Sequence, residues 1–383
     1  MSISNAKKQQ FIIFAFCILY ASIYVVLFDF LRFNETDTPN FINAAKILFG
    51  AEGIIDNQSR ITKPFVLILP GLLHTYLGIS ITGTMFVQNI LFFIGTGIYT
   101  SKLLQLWNYS FTYQLLGVFI LYTIQPIAVF SFILINDIAG YFFITIALYY
   151  YFYSFSKTIG IVQYITLAGI CLAGILSKES SALAMVIIAL HTILYNKKNI
   201  AHMAYLFVSI IGIYTATQFF ISHTFGYVSS IQNLTKKYTG QDGYVFKIEQ
   251  LIHSFDIYWL YIACGVMYIF TRQKKNIFYV WSVLFTIPFL FLWPLVQDRT
   301  IAVASPIFMW VIISFIQKSN THQKLLLLCG GIGNIVCSYM IYKYQAQNIL
   351  PIFYSVFTLL FLFMYKQKLQ KIIQTIISNL VNS

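Results

Sequence analysis

The chain of 383 residues is 59% hydrophobic and 18% aromatic, with a mean hydropathy of +0.76 and only 9% charged residues. Soluble domains carry about 25% charged residues, so a soluble enzyme, a disordered chain and a coiled coil are excluded, and a polytopic membrane protein remains. The net charge of +13, from 24 Lys and Arg against 11 Asp and Glu, points to membrane orientation before it points to nucleic acid, and no nucleic-acid partner is expected.

A crossing needs about 20 mostly apolar residues. The run 11–30 follows Lys7 and Lys8, has that length, and precedes no small-x-small cleavage pattern, so it reads as an uncleaved first helix. Further crossings are expected at 84–101, 111–134, 138–155, 159–176, 180–195, 200–222, 256–271, 277–296, 300–317, 324–342 and 347–365, twelve in all with the first. The apolar segment 64–79 is ambiguous. It holds Pro64, Pro70, Gly71 and His74, which interrupt a helix, so a re-entrant or interfacial piece fits as well as a crossing. The tail 366–383 reads as a short basic amphipathic helix on the inner surface. Cys17, Cys171, Cys264, Cys329 and Cys337 all fall in apolar runs, which suits buried hydrophobes better than disulfides or metal ligands.

The charges decide how 64–79 is treated. With a cytoplasmic N-terminus and no crossing there, 14 of the 24 basic residues and no acid lie inside, from Lys7 and Lys8 to Lys366, Lys368 and Lys371. The other ten basic residues and all 11 acids lie outside. A crossing at 64–79 would turn every later loop over and put the basic loops outside, against the positive-inside rule. The expected architecture is therefore all-α: a single membrane domain, 1–383, of about twelve spans in the cell (inner or plasma) membrane, with both termini cytoplasmic. Its outer face carries two sizeable loops, 31–83 and 223–255, and several short polar turns. Chemistry that needs a carboxylate is confined to that face.

The first outer loop contains Asn34-Glu35-Thr36-Asp37-Thr38-Pro39, a helix start with proline at the first position, and then Arg60-Ile61-Thr62-Lys63-Pro64-Phe65. Asp37 and Lys63 can face one cleft, or Asp37 can cap its helix while Lys63 snorkels. Asp137, in Ile135-Asn136-Asp137, either caps the following helix or is a functional acid at a membrane junction. The turn Ser177-Lys178-Glu179-Ser180-Ser181 reads as a self-neutralised pair or as part of a site. Arg299 either meets a phosphate or pairs with its neighbour Asp298. His74 and His223 have no second ligand at metal spacing. The loop 223–255, with Tyr227, Tyr238, Tyr244, Lys236, Lys237 and Asp242, suits sugar stacking and a lid, or a loop lying on the membrane.

The succession of Asp37 after span one, Lys63-Pro64, Asn136-Asp137, Gly174-Ile175-Leu176-Ser177-Lys178-Glu179 and Arg299 before Pro306 resembles the GT-C glycosyltransferases. The nearest branch holds the lipid A aminoarabinose transferases and the bacterial protein O-mannosyltransferase-like proteins. The resemblance covers roughly residues 10–310 and implies a GT-C-like fold. It implies that Asp37 and Asp137 are the active-site acids of the first and second outer loops. It also implies that Lys63 meets a lipid phosphate, with Lys178, Glu179 and Arg299 on the substrate side. Departures are Glu35 standing before Asp37 where relatives often place a Glu directly after, a single proline after Lys63, and Thr62 where some relatives carry an acidic metal ligand. No cofactor is required by the sequence, and a divalent metal stays open.

The resulting expectation is an inverting transfer of sugar from a polyprenyl-phosphate donor to an acceptor hydroxyl on a glycan, lipid or protein, at the outer face of the bilayer. The rivals are a polymerase or ligase of lipid-linked glycans and a non-enzymatic flippase or transporter. The expected spans hold almost no ionisable groups near the midplane, which counts against ion-coupled transport.

Overall fold

The computed structural model describes residues 3–28, 37–53, 55, 60–154, 160–227, 248–271, 282, 286, 298–346 and 349–381. Most of the loop 223–255, most of the expected crossing 277–296, Glu35 and the Asp298 side chain lie outside the described residues. Among the described residues every regular element is helical. In chain order these are α1 (Ile3–Leu27), α2 (Thr38–Ile47), α3 (Pro64–Leu77), α4 (Ile81–Leu106), α5 (Phe111–Thr123), α6 (Gln125–Phe130), α7 (Asp137–Ser154) and α8 (Ile161–Ser177). After the 3₁₀ turn Glu179–Ala182 come α9 (Leu183–Tyr195), α10 (Ile200–Phe225), α11 (Ile248–Phe255), α12 (Tyr258–Phe270), α13 (Asp298–Ile301), α14 (Ser305–Ile316), α15 (Thr321–Tyr344) and α16 (Ile349–Val381).

Among the described residues, five helical stretches are long and apolar enough to cross a membrane: Asn5–Leu27, Ile81–Leu106, Lys197–Phe225, Thr321–Tyr344 and Ile349–Asn379. Shorter apolar helices, among them α5, α8, α12 and α14, accompany them. Large apolar side chains stand exposed along these helices, such as Phe11 and Val26 on α1, Tyr205 and Phe219 on α10, and Leu359 and Phe363 on α16. A water-facing surface does not carry such belts; a membrane helix bundle does.

One local feature falls on the segment the sequence left ambiguous, and two others depart from the sequence expectation. The segment 64–79 folds as α3, capped by left-handed Gly78, whose N–H bonds the His74 carbonyl. Its 14 residues reach about 21 Å at 1.5 Å per residue, short of the roughly 30 Å hydrocarbon core. The expected crossing 111–134 is broken: extended Ile124 separates α5 from α6, and residues 131–136 are buried without helical structure. The tail is no separate surface helix, because α16 runs unbroken for 33 residues.

The break at Ile124 follows from Pro126, which has no N–H to return to the carbonyl four residues back. That carbonyl belongs to Tyr122, and the Tyr24 hydroxyl of α1 donates to it. Tyr122 in turn donates to the Phe93 carbonyl at 2.9 Å and stacks on the Phe93 ring, 4.0 Å between centroids. Asn89 of α4 donates to the carbonyls of Ile133 at 2.8 Å and Ile135 at 3.4 Å. Buried non-helical backbone is tolerated only when its polar groups are met in this way. The segment so supported delivers Asp137 to the start of α7.

The core has two parts. The larger links α1, α4, α5, α7, α12 and α14; the smaller gathers Phe41, Ile61, Leu67, Met85, Leu134 and Ala139 around α2, α3, α4 and α7. Gly71 lets α3 approach α2, since a Cβ there would lie 2.8 Å from the Ala45 carbonyl oxygen. Four of the five cysteines are buried, and Cys329 is exposed.

Candidate functional site

All six site residues read from the sequence, Asp37, Lys63, Asp137, Lys178, Glu179 and Arg299, come together in one charged cluster. Arg60 joins them. Asp37 precedes α2, whose first turn is set by Thr38-Pro39, yet its side chain makes no capping bond and instead pairs with Arg60. Lys63 precedes α3 and pairs with Glu179. Lys178 pairs with Asp137, the first residue of α7, and Arg299 of α13 approaches the other Asp137 oxygen at 3.3 Å. Lys178 and Glu179 therefore reach across to partners from other segments, and Arg299 reaches α7.

Neutral neighbours fix these groups in place. Gln218 of α10 donates to the Thr62 carbonyl at 2.8 Å, pinning the turn before Lys63. One helical turn earlier, Tyr214 lies 3.5 Å from the Glu179 carboxylate. Asn136 donates to the Ser177 carbonyl, tying the approach to α7 onto the end of α8. Tyr141 donates to the Arg299 carbonyl at 2.8 Å. Gly140 leaves room for the Lys178 stem, since a Cβ there would meet Lys178 Cδ at 3.1 Å. The rings of Phe41 and Phe130 lie 5.4 Å from Arg60 and 5.6 Å from Arg299, within cation–π range.

Exposure divides the cluster into a floor and a rim. The Asp137 side chain is 1% exposed and Lys63 5%, whereas Asp37, Arg60 and Arg299 are 20–23% exposed. The rim is what an incoming molecule meets first. Burial pushes the Lys63 and Lys178 ammonium groups below the ordinary lysine value. Arg60 adds to this at Lys63; Arg299, Arg60 and Lys63 add to it at Lys178. Burial likewise lowers the Arg60 guanidinium, with Asp37 opposing and Arg299 assisting. These mutual effects place the four cations in one electrostatic field.

The charge balance suits an anion. Among the described residues the cluster holds four cations, Arg60, Lys63, Lys178 and Arg299, against three carboxylates, Asp37, Asp137 and Glu179. Ion pairs taken out of water are poor stabilisers, so these seven charges are not accounted for by stability alone. Each carboxylate already has a cation beside it, and among the described residues no three His, Cys, Asp or Glu side chains form a metal-binding group.

The sequence reading passed over Arg60, Tyr214 and Gln218. Gln218 had a signal, being a polar residue inside an otherwise apolar run. Arg60 had only its spacing three residues before Lys63. Two cavities, about 320 and 410 Å³, lie against Lys102 and Lys318. They open near the C-terminal end of α4, whose lining residues Ile98 to Leu106 lie roughly 26–38 Å along the helix from its N-terminal residue Ile81, and no carboxylate lines them. No protein-family model, curated protein or solved structure matches this chain.

Proposed function

We propose that the chain is a membrane glycosyltransferase that moves a sugar from a polyprenyl-phosphate donor to an acceptor hydroxyl at the outer face of the cytoplasmic membrane, with inversion. The observation that carries this reading is the seven-residue cluster: a reachable carboxylate, Asp37, beside an excess of cations, on a membrane bundle. The GT-C resemblance of the same residues supports it.

In this reading Asp37 is the general base that takes the proton of the acceptor hydroxyl as it attacks the anomeric carbon. Such a base contributes about 10²–10⁴-fold. The bond from the anomeric carbon to the phosphate oxygen breaks, and the lipid phosphate leaves as an anion. The cations stabilise that developing charge, where low dielectric strengthens their effect. Asp137, held between Lys178 and Arg299, orients these two cations and supplies a fixed negative potential near the positive charge that develops on the sugar.

Asp256 favours a second reading as a lipid carrier. Expected at the edge of a span, it is buried between α11 and α12, bonded by Tyr354 and approached by Asn334 at 3.4 Å and His253 at 3.8 Å. A buried acid in a bundle is a transport-type feature. Mass spectrometry of surface glycans from cells with and without the gene separates the two. The transferase reading expects one sugar addition to disappear while its lipid-linked donor accumulates outside; accumulation of the donor on the inner leaflet would favour the carrier.

A further inference from the structure

The 410 Å³ cavity beside Lys318 opens where three helices finish. Leu106 ends α4, Ile269 lies in the last turn of α12, and Ser314, Gln317 and Lys318 belong to the end of α14 and the turn after it. Two stretches of membrane-spanning length, Ile81–Leu106 and Thr321–Tyr344, end and begin beside it, which puts the cavity at the level of lipid headgroups. Its walls are Trp107, Tyr109, Tyr268 and Trp310. Such residues are common at that level, but here they line a braced space. The Trp107 and Trp310 rings meet edge to face at 6.3 Å, and the hydroxyls of Tyr109 and Ser314 bond at 2.7 Å. Tyr113 pins the turn after α14, donating to the Gln317 carbonyl at 3.2 Å, and Lys324 donates to the Tyr113 hydroxyl at 3.0 Å.

Within this frame the side chains of Asn108, Gln317 and Lys318 make no hydrogen bond or ion pair among the described residues, and no carboxylate lines the space. Lys318 suits a phosphate. A purely anionic ligand would also meet the negative ends of three helix dipoles, and aromatic faces attract cations. Both features call for a positive group beside the phosphate, whose N–H groups the amide oxygens of Asn108 and Gln317 can accept. At the same end of α14 the Lys368 ammonium already takes such a seat, donating to the Phe315 carbonyl at 2.7 Å and lying 3.8 Å from the Phe315 ring centre. A space of 410 Å³ holds a headgroup and not a whole lipid, while Phe270, next to the lining residue Ile269, is exposed to acyl chains.

We propose that this cavity binds the headgroup of an ethanolamine phospholipid. Its phosphodiester meets Lys318, and its primary ammonium lies among the aromatic walls and the side-chain carbonyls of Asn108 and Gln317. The site is separate from the charged cluster and does not depend on the transferase reading.

The test is binding of short-chain phosphatidylethanolamine to the purified full-length protein in detergent. Phosphatidylglycerol, which lacks the ammonium, phosphatidylcholine, whose ammonium has no N–H, and soluble phosphoethanolamine are parallel probes. Phosphatidylethanolamine is expected to bind most tightly of the four. Lys318→Gln is expected to weaken both phosphatidylethanolamine and phosphatidylglycerol by roughly tenfold, the loss of one charge-assisted hydrogen bond. Asn108 has a left-handed backbone, φ 63°, which glycine adopts freely. Asn108→Gly is therefore expected to weaken phosphatidylethanolamine and leave phosphatidylglycerol unchanged. Lys102→Gln, at the other cavity of this end, is expected to change neither. Asn108 and Lys318 are exposed, so neither substitution removes packing, and melting temperatures without lipid check that the variants fold. Should Asn108→Gly fail to fold, Gln317→Ala carries the same contrast. Phosphatidylglycerol or phosphatidylcholine bound as tightly as phosphatidylethanolamine overturns the proposal, as do equal losses in Lys102→Gln and Lys318→Gln, which would show a general surface charge. Phosphoethanolamine bound as tightly as the lipid overturns the assignment to a phospholipid.

Discussion

Lys63 and Lys178 supply the field of the cluster more than its contacts. Both are held below the ordinary lysine value, chiefly by burial and then by neighbouring cations, so each gives up its proton earlier as pH rises. An anion favours their protonated forms, and its affinity therefore falls through the pH range in which they lose their protons. Above pH 7 a phosphate monoester is almost fully dianionic, its second pKa being about 6, so the ligand contributes little to the change. Titrations of wild-type protein with farnesyl phosphate are expected to show affinity declining with pH from a point below about 10.4, the free-lysine value. A flat profile up to that value would remove both lysines from the electrostatics of binding. The six candidate residues were readable in the sequence because ionisable groups at membrane junctions are few. Their pairings were not. Adjacent Lys178 and Glu179 read naturally as a self-neutralised turn, but Lys178 is extended, with φ −155° and ψ 124°, while Glu179 already opens the 3₁₀ turn, and each side chain pairs with a different segment, Lys178 with Asp137 and Glu179 with Lys63. Arg60 escaped selection because its partner, Asp37, lies 23 residues away and no local pattern links them.

Among elements, the helices were legible and their interruptions less so. Apolar runs marked α1, α4, α10, α15 and the start of α16, since a hydrocarbon solvent leaves little freedom in length or polarity. The run 111–134 concealed a break whose sign was Pro126, and basic Lys366 and Lys368 suggested an end to a helix that continues to Val381. The break matters because it turns the chain toward Asp137, and it depends on Tyr24 meeting the Tyr122 carbonyl that Pro126 leaves open. Tyr24→Phe keeps the ring, which is fully buried, and deletes only the donor. An unmet buried carbonyl costs about 1–3 kcal/mol. Thermal unfolding in detergent is expected to show destabilisation of that size, with reduced phosphate binding if the shift reaches Asp137. Unchanged stability would mean that the Tyr122 carbonyl finds another donor.

At the scale of the whole molecule, the separation of charges along the chain and the assembly of the cluster are two views of one arrangement. The carboxylates were assigned to the outer side by counting basic residues, and three of the 11 acids meet four cations in one place drawn from well-separated stretches of sequence. In the proposed function a lipid-linked substrate would reach such a place from within the bilayer, past α3, which exposes Phe65, Leu69 and Leu72. Among the described residues, the turn before α3, the non-helical approach to α7 and the turn after α8 are breaks between helices that carry residues of the cluster. The most direct test is to incubate the purified protein with a polyprenyl-phosphate sugar and a membrane extract as acceptor source, and to measure released polyprenyl phosphate. The account predicts release by wild-type protein and a loss of about 10²–10⁴-fold in Asp37→Asn; full activity in Asp37→Asn, or no release by wild-type protein with any lipid-linked sugar, would contradict it.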